Sequence, residues 1–164
     1  RPGGAIAAAW AVMNYLGEDG YTRLARTVME TARELMDGVN AVPGLQVMGT
    51  PDASVFSFTS DSVDIYAVGD AMDARGWHLD RQQMPPKLHL VVTLAHQGIA
   101  PQFLADLEES TGSVALEGPA VGGSAAMYGA LGTMPDRGSV DRVIRDFLDS
   151  ATEPREDPQP AEKP

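Results

Sequence analysis

Apolar side chains recur along this chain first with a helical period and then with a period of two. From Gly4 to Leu16, Ile6, Trp10 and Met13 fall at spacings of four and three, with alanines filling most of the rest. The pattern predicts a helix that is apolar nearly all round and therefore buried against more than one partner. Gly17-Glu18-Asp19-Gly20 breaks it, and Asp19 is placed to cap a second helix over 21–39. There Tyr21, Leu24, Val28, Ala32, Leu35 and Val39 form one stripe, while Arg23, Arg26, Glu30, Arg33, Glu34 and Asp37 face water. After Pro43-Gly44 the alternation becomes strand-like. Strands are predicted over 45–48 and 54–59, with a turn at 49–52 and with Phe56 and Phe58 sharing one face. A helix over 63–75 follows, with Ile65, Val68 and Met72 inward and Gly76 at its left-handed C-terminal position. An edge strand is expected near 77–79, an extended turn at Pro85-Pro86, and the strongest strand over 88–94. Pro101 marks the start of another helix. A last one begins at Ser139 as N-cap, with Val140, Val143, Ile144, Phe147 and Leu148 on one face.

This order, α-α-β-β-α-(β)-β-α-loop-α, predicts an α+β fold: a mostly antiparallel sheet of three or four strands covered by helices and preceded by long N-terminal helices. Residues 1–39 read as linking helices, 40–150 as a small α+β domain, and 151–164, where prolines alternate with charges, as a disordered tail.

Composition narrows the chemistry. The 164 residues carry 12 basic and 23 acidic side chains, a net charge of −11. Such a surface repels nucleic-acid phosphates and anionic lipid, so neither is expected as a partner. There is no cysteine, which removes disulfides, thiolate nucleophiles and Cys-ligated zinc, and fits a reducing, cytoplasmic setting. The longest apolar run, Ala5 to Met13, is too short to span a bilayer and lacks the flanks of a signal peptide.

Self-contained catalysis is not expected. No Walker, dinucleotide or His-Glu-x-x-His motif occurs, and His78, His89 and His96 have no ligand spacing, so no metal site is expected. The only lysines are Lys87, after the Pro-Pro turn, and Lys163, in the tail. Neither has the desolvated setting that an amine nucleophile needs. The glycine-rich stretch from Gly118 to Gly132 around Tyr128 reads in two ways. It is a flexible surface loop, or a loop folding over a pocket in which Tyr128 supplies a phenolic proton donor.

Three ordered groups of residues carry a family resemblance. The first is Arg1-Pro2-Gly3-Gly4, then Trp10, then Tyr15-Leu16-Gly17-Glu18-Asp19-Gly20-Tyr21. The second is Asp64-Ile65-Tyr66, Arg75-Gly76-Trp77-His78-Leu79 and Pro85-Pro86-Lys87-Leu88-His89. The third is Ala126-Met127-Tyr128-Gly129, Asp136-Arg137 and Phe147-Leu148-Asp149. Together they resemble the C-terminal part of the sphingosine-1-phosphate lyase family, over all but the tail. The resemblance implies a fold-type I pyridoxal 5'-phosphate enzyme, a homodimer with active sites at the subunit interface. It implies cleavage of a phosphorylated long-chain base to a fatty aldehyde and phosphoethanolamine, with the cofactor ring as electron sink.

The cofactor-holding lysine precedes the stretch matching Arg1 in that family, so the resemblance implies that this chain carries no catalytic residue and is expected to be inactive alone. Arg1 and Gly3 are implied on the cofactor-phosphate side, with Arg1 acting electrostatically or only as a structural pair, and Tyr128 as a substrate contact. The serine that usually precedes this arginine in the family is not in the chain. Two alternatives stand beside this reading: part of a glutamate- or aromatic-type amino-acid decarboxylase of the same superfamily, and a free-standing, non-catalytic dimerisation or binding domain. A chain that opens on Arg1-Pro2-Gly3-Gly4 and runs straight into an apolar helix is expected to begin inside a longer protein, or at a processed terminus.

Overall fold

The computed structural model describes residues 2–117, 123–134 and 136–152. The order is α1 (Gly3–Ala41), β1 (Leu45–Val47), β2 (Val55–Ser60), α2 (Ile65–Ala74), β3 (Asp80–Gln82), β4 (Lys87–Val91), a 3-10 turn (Leu94–His96), α3 (Ala100–Glu117), α4 (Gly123–Thr133) and α5 (Arg137–Thr152). Of the tail expected over 151–164, residues 151–152 instead continue α5, and the rest lies outside the described residues, as does Arg1.

The α+β architecture is as the periodicity predicts. The four strands form one antiparallel sheet in the order β1-β2-β4-β3. Phe56, Phe58, Leu88 and Leu90 are buried, whereas Val55 and Val91 are 43% and 45% exposed on the opposite face. The sheet is thus covered on one side, which is why its strands alternate. Thr59 is buried because its hydroxyl donates to the Pro86 carbonyl at 2.7 Å.

The second half of α1 enters this core through Thr31, Ala32, Leu35 and Val39. Burial grows along the predicted stripe, from the half-exposed Tyr21 to the fully covered Val39. Leu104 of α3 sits directly on Gly38, a close approach that leaves no room for a Cβ. α3 and α2 complete the layer with Phe103, Leu107, Val68 and Met72.

Four details depart from the pattern. The two N-terminal helices meet with no loop between them, and Asp19 is helical instead of a cap. The break is concentrated in Gly17, whose φ of 57° and ψ of −174° are open to glycine almost alone. The edge strand is Asp80–Gln82, just after the expected stretch, because Leu79 is drawn into the core. The β4 strand ends at Val91, since Thr93 caps the 3-10 turn that follows. The last helix starts before Ser139: Asp136 accepts hydrogen bonds from the Gly138 N–H at 3.0 Å and the Ser139 hydroxyl at 2.6 Å. Of the apolar face expected there, Val140 is buried, whereas Val143, Ile144, Phe147 and Leu148 are uncovered, with Phe147 70% exposed.

Candidate functional site

The glycine-rich stretch is neither of the loops anticipated for it. Residues 118–122 lie outside the described residues, but 123–133 form α4. Its Ala125-Ala126-Met127 run and Ala130-Leu131 favour a helix locally, and contact with α2 covers Ala125.

α2 explains why that contact exists. Asp64 caps it, its Oδ1 accepting from the Tyr66 and Ala67 N–H groups at 3.0 and 3.3 Å. Ile65 goes to the core and Tyr66 is buried, its hydroxyl donating to the Gln82 carbonyl at 2.7 Å. The Tyr66 ring meets that of Tyr128, with centroids 5.5 Å apart and planes inclined by 42°. Gln83 then donates from Nε2 to the Tyr128 carbonyl at 3.2 Å. Three elements therefore converge on Tyr128: α2 through a ring, the segment after β3 through an amide, and α4 through its own backbone.

Between them lies a cleft of about 490 Å³ lined by Ser60, Val63, Asp64, Tyr66, Met84 and Tyr128, among others. Its volume suits a small-molecule group or part of a chain, and its walls are mainly apolar with a few polar anchors. Burial pushes the Tyr66 phenol up, and the neighbouring Asp64 and Tyr128 add to the effect. Tyr66 therefore holds its proton more tightly than an exposed tyrosine, which extends its role as donor to Gln82 further into the alkaline range.

Behind the cleft, Arg81 is nearly enclosed, its side chain 5% exposed, and it bridges Asp70 and Asp73. Burial opposes the guanidinium charge, but hydrogen bonds and charge from Asp73 and Asp70 outweigh this and raise it. Burial likewise works to raise the Asp73 carboxyl, and the bonds and charges of Arg81 and His78 bring it below the ordinary carboxylate range instead.

The remaining candidates fall elsewhere. Gly3 opens α1 and is exposed, with open space where a Cβ would stand. The structure does not bring it to Tyr128. Lys87 lies on β4 opposite Gln82 and borders a shallow depression on the uncovered face of the sheet with His89 and Ser57. His89 sits 3.7 Å from Asp80. Among the described residues no cluster of three or more metal-ligating side chains occurs, and no helix is long and apolar enough to cross a membrane.

Sequence reasoning singled out Tyr128 but missed Tyr66 and Gln83 as its neighbours. The signal for Tyr66 was the Asp64-Ile65-Tyr66 triplet, a cap followed by two buried residues, one of them with a hydroxyl that needs a partner. Gln83 left no signal of its own.

The other motif residues also hold the fold together. Gly76 adopts a φ of 89° after α2, which turns Trp77 so that its Nε1 donates to Asp106 at 2.8 Å and its ring meets the edge of Phe103. No family model matches the chain. The sphingosine-1-phosphate lyase of Oryza sativa subsp. japonica is 47% identical over 152 residues, and that of Arabidopsis thaliana 43% identical over 151. Each match covers 92% of this chain and 28% of the relative, so the chain spans little more than a quarter of their length. The solved sphingosine-1-phosphate lyase of Burkholderia pseudomallei superposes with a TM-score of 0.74 at 34% identity, over 93% of this chain and 30% of that one. Mouse CSAD, 15% identical, shares the fold alone, with a TM-score of 0.54 over 63% of the chain. By sequence and by fold together, the chain belongs to the sphingosine-1-phosphate lyase family and corresponds to a part of its members.

Proposed function

We infer that the chain is part of a pyridoxal-phosphate-dependent carbon–carbon lyase that cleaves a phosphorylated long-chain base into a fatty aldehyde and phosphoethanolamine. The observation that carries this reading is the agreement of two independent likenesses over nearly the whole chain. One is 47% identity to a plant sphingosine-1-phosphate lyase, and the other is a TM-score of 0.74 to a bacterial one.

Pyridoxal phosphate fits these residues only as a shared ligand. Lys87 is on a strand facing the open side of the sheet, far from the setting of a buried amine, and Lys163 is outside the described residues. Gly3, at the first turn of α1 and without neighbours, leaves backbone open to a phosphate brought by another part of the protein. In this reading Arg1 and Gly3 contribute to the cofactor phosphate, and the lysine comes from elsewhere in the parent. When bound, the cofactor supplies an electron sink for breaking the Cα–Cβ bond. Tyr128 acts as a substrate contact at the cleft, held there by Tyr66 and Gln83.

The parent is proposed to be a cytoplasmic homodimer, with residues 1–39 linking to a larger cofactor domain and 40–150 as its small domain. Product analysis tests the reaction. The full-length parent, incubated with pyridoxal phosphate and a phosphorylated long-chain base, should release fatty aldehyde and phosphoethanolamine. Release of carbon dioxide from glutamate or an aromatic amino acid, with no aldehyde formed, would instead establish the decarboxylase alternative.

A further inference from the structure

α4 has little of its own to hold it in place. Its interior glycines, Gly129 and Gly132, favour no particular backbone, and among its described residues Ala125 alone is buried. A helix of 11 residues with so narrow a buried face is marginal unless its ends are tied down.

The N-terminal end is tied to a residue 55 positions away. The Ala125 N–H donates to Oδ2 of Asp70 at 2.9 Å, while Oδ1 of the same carboxylate accepts from Nη2 of Arg81. Arg81 is in turn fixed by Asp73 at 2.6 Å and is almost wholly enclosed. The carboxylate is therefore oriented from behind and presents its free oxygen to the positive end of the helix.

Gly123 makes this approach possible. Its φ is 75°, and a Cβ there would stand 2.7 Å from Asp70 Oδ2. Any other residue meets both a disfavoured backbone and a collision with the capping carboxylate. Three residues along from Ala125, Tyr128 meets Tyr66 and Gln83. A helix pinned at its first turn has few ways left to present that ring.

We propose that Asp70, oriented by Arg81 and approached through Gly123, is the positioning residue that places α4 and so sets Tyr128 at the cleft. Its kinetic consequence rests on the reading of Tyr128 as a substrate contact; its structural consequence does not.

The test uses the full-length parent and the variants Asp70→Ala, Gly123→Ala and the two combined. Hydrogen exchange is followed by mass spectrometry, together with steady-state kinetics on a phosphorylated long-chain base. Loss of one charge-assisted hydrogen bond corresponds to a change of about tenfold or more. Each single variant should therefore raise exchange in 123–133 by about that factor, while 55–60 and 87–91 stay within about twofold. KM should rise with it and kcat stay within about twofold. The double variant should exchange faster than Asp70→Ala by a smaller factor than Gly123→Ala adds to the wild type, since removing the carboxylate ends the collision at position 123 and leaves only the cost of its φ of 75°.

Unchanged exchange in 123–133 overturns the proposal. So does exchange that rises equally in the strands, which would make Asp70 a general structural residue; Gly123→Ala, which leaves the Arg81 pairs intact, separates that case. A faster-exchanging α4 with an unaltered KM removes the kinetic consequence and retains the placement. A parent without aldehyde-forming activity sinks the functional reading, and the exchange data still decide the role of Asp70.

Discussion

The two halves of α1 are built from similar apolar residues and meet opposite fates. Beyond Gly17 the stripe ends in Ala32, Leu35 and Val39, each at most 1% exposed and packed on the sheet and α3. Before Gly17, Ile6, Trp10 and Met13 are 62%, 64% and 53% exposed, with no cover among the described residues. Hydrophobic period alone predicts that a face will be buried, not where its partner comes from. A contiguous apolar face of this kind marks an interaction surface. The chain spans only 28% of its plant relatives, and we propose that the rest of the parent supplies the cover.

The largest effect that can test this contrast is a pair of truncations in the 164-residue chain. Phe58→Ala, at a fully buried position of β2, should cost about 3–5 kcal/mol in urea unfolding, as large-to-small core changes do. Trp10→Ala should change stability by no more than about 0.5 kcal/mol. Comparable losses at both sites would mean that the arm is packed after all.

Next in size is the buried ion pair. Arg81→Leu leaves Asp70 and Asp73 without their cation and should lower stability by about 3 kcal/mol. This is a disturbance of the packed half only, so exchange in residues 4–16 should not follow it.

Gly17 is the hinge between the two fates. Gly17→Ala places a Cβ where φ is 57°, at a cost of about 1–3 kcal/mol if the bend is enforced. In the isolated chain the arm is free to straighten, and the loss should be well below that. In the full-length parent, where the arm is expected to be docked, thermal unfolding should show the full cost.

The smallest effects follow pH. The Asp73 carboxyl is held below its ordinary value, so its contribution is present above the unfolded value of about 4 and is lost as pH falls through the folded one. The Tyr66 phenol is raised, so the preference for its neutral form is fully present below the unfolded value of about 10 and fades as pH rises through the folded one. Asp73→Asn should flatten the acid limb of the stability profile, and Tyr66→Phe the alkaline limb. Neither should change the behaviour of the exposed arm.

Much of the fold was legible because its signals are local. Phe56 and Phe58 alternate, Gly76 ends a helix, and the stripe from Leu24 to Val39 keeps one face. What escaped depends on groups distant in sequence. α4 looked like a loop because its glycines conceal a helix that is capped by Asp70 and braced by Gln83. The shift of β3 to Asp80–Gln82 follows from the burial of Leu79 together with pairing to β4, which no single segment reveals. Of the site residues, Tyr128 could be picked out by its motif, while its buried neighbour Tyr66 became meaningful only once α2 and α4 were seen to meet.

The central claim is that this part supports a lyase whose cofactor lysine lies elsewhere. Borohydride reduction of the full-length parent with pyridoxal phosphate, followed by peptide mass mapping, tests it most directly. The account predicts one labelled lysine per subunit, outside these 164 residues, and no stoichiometric adduct when this chain is treated alone. A stoichiometric adduct on Lys87 would contradict it.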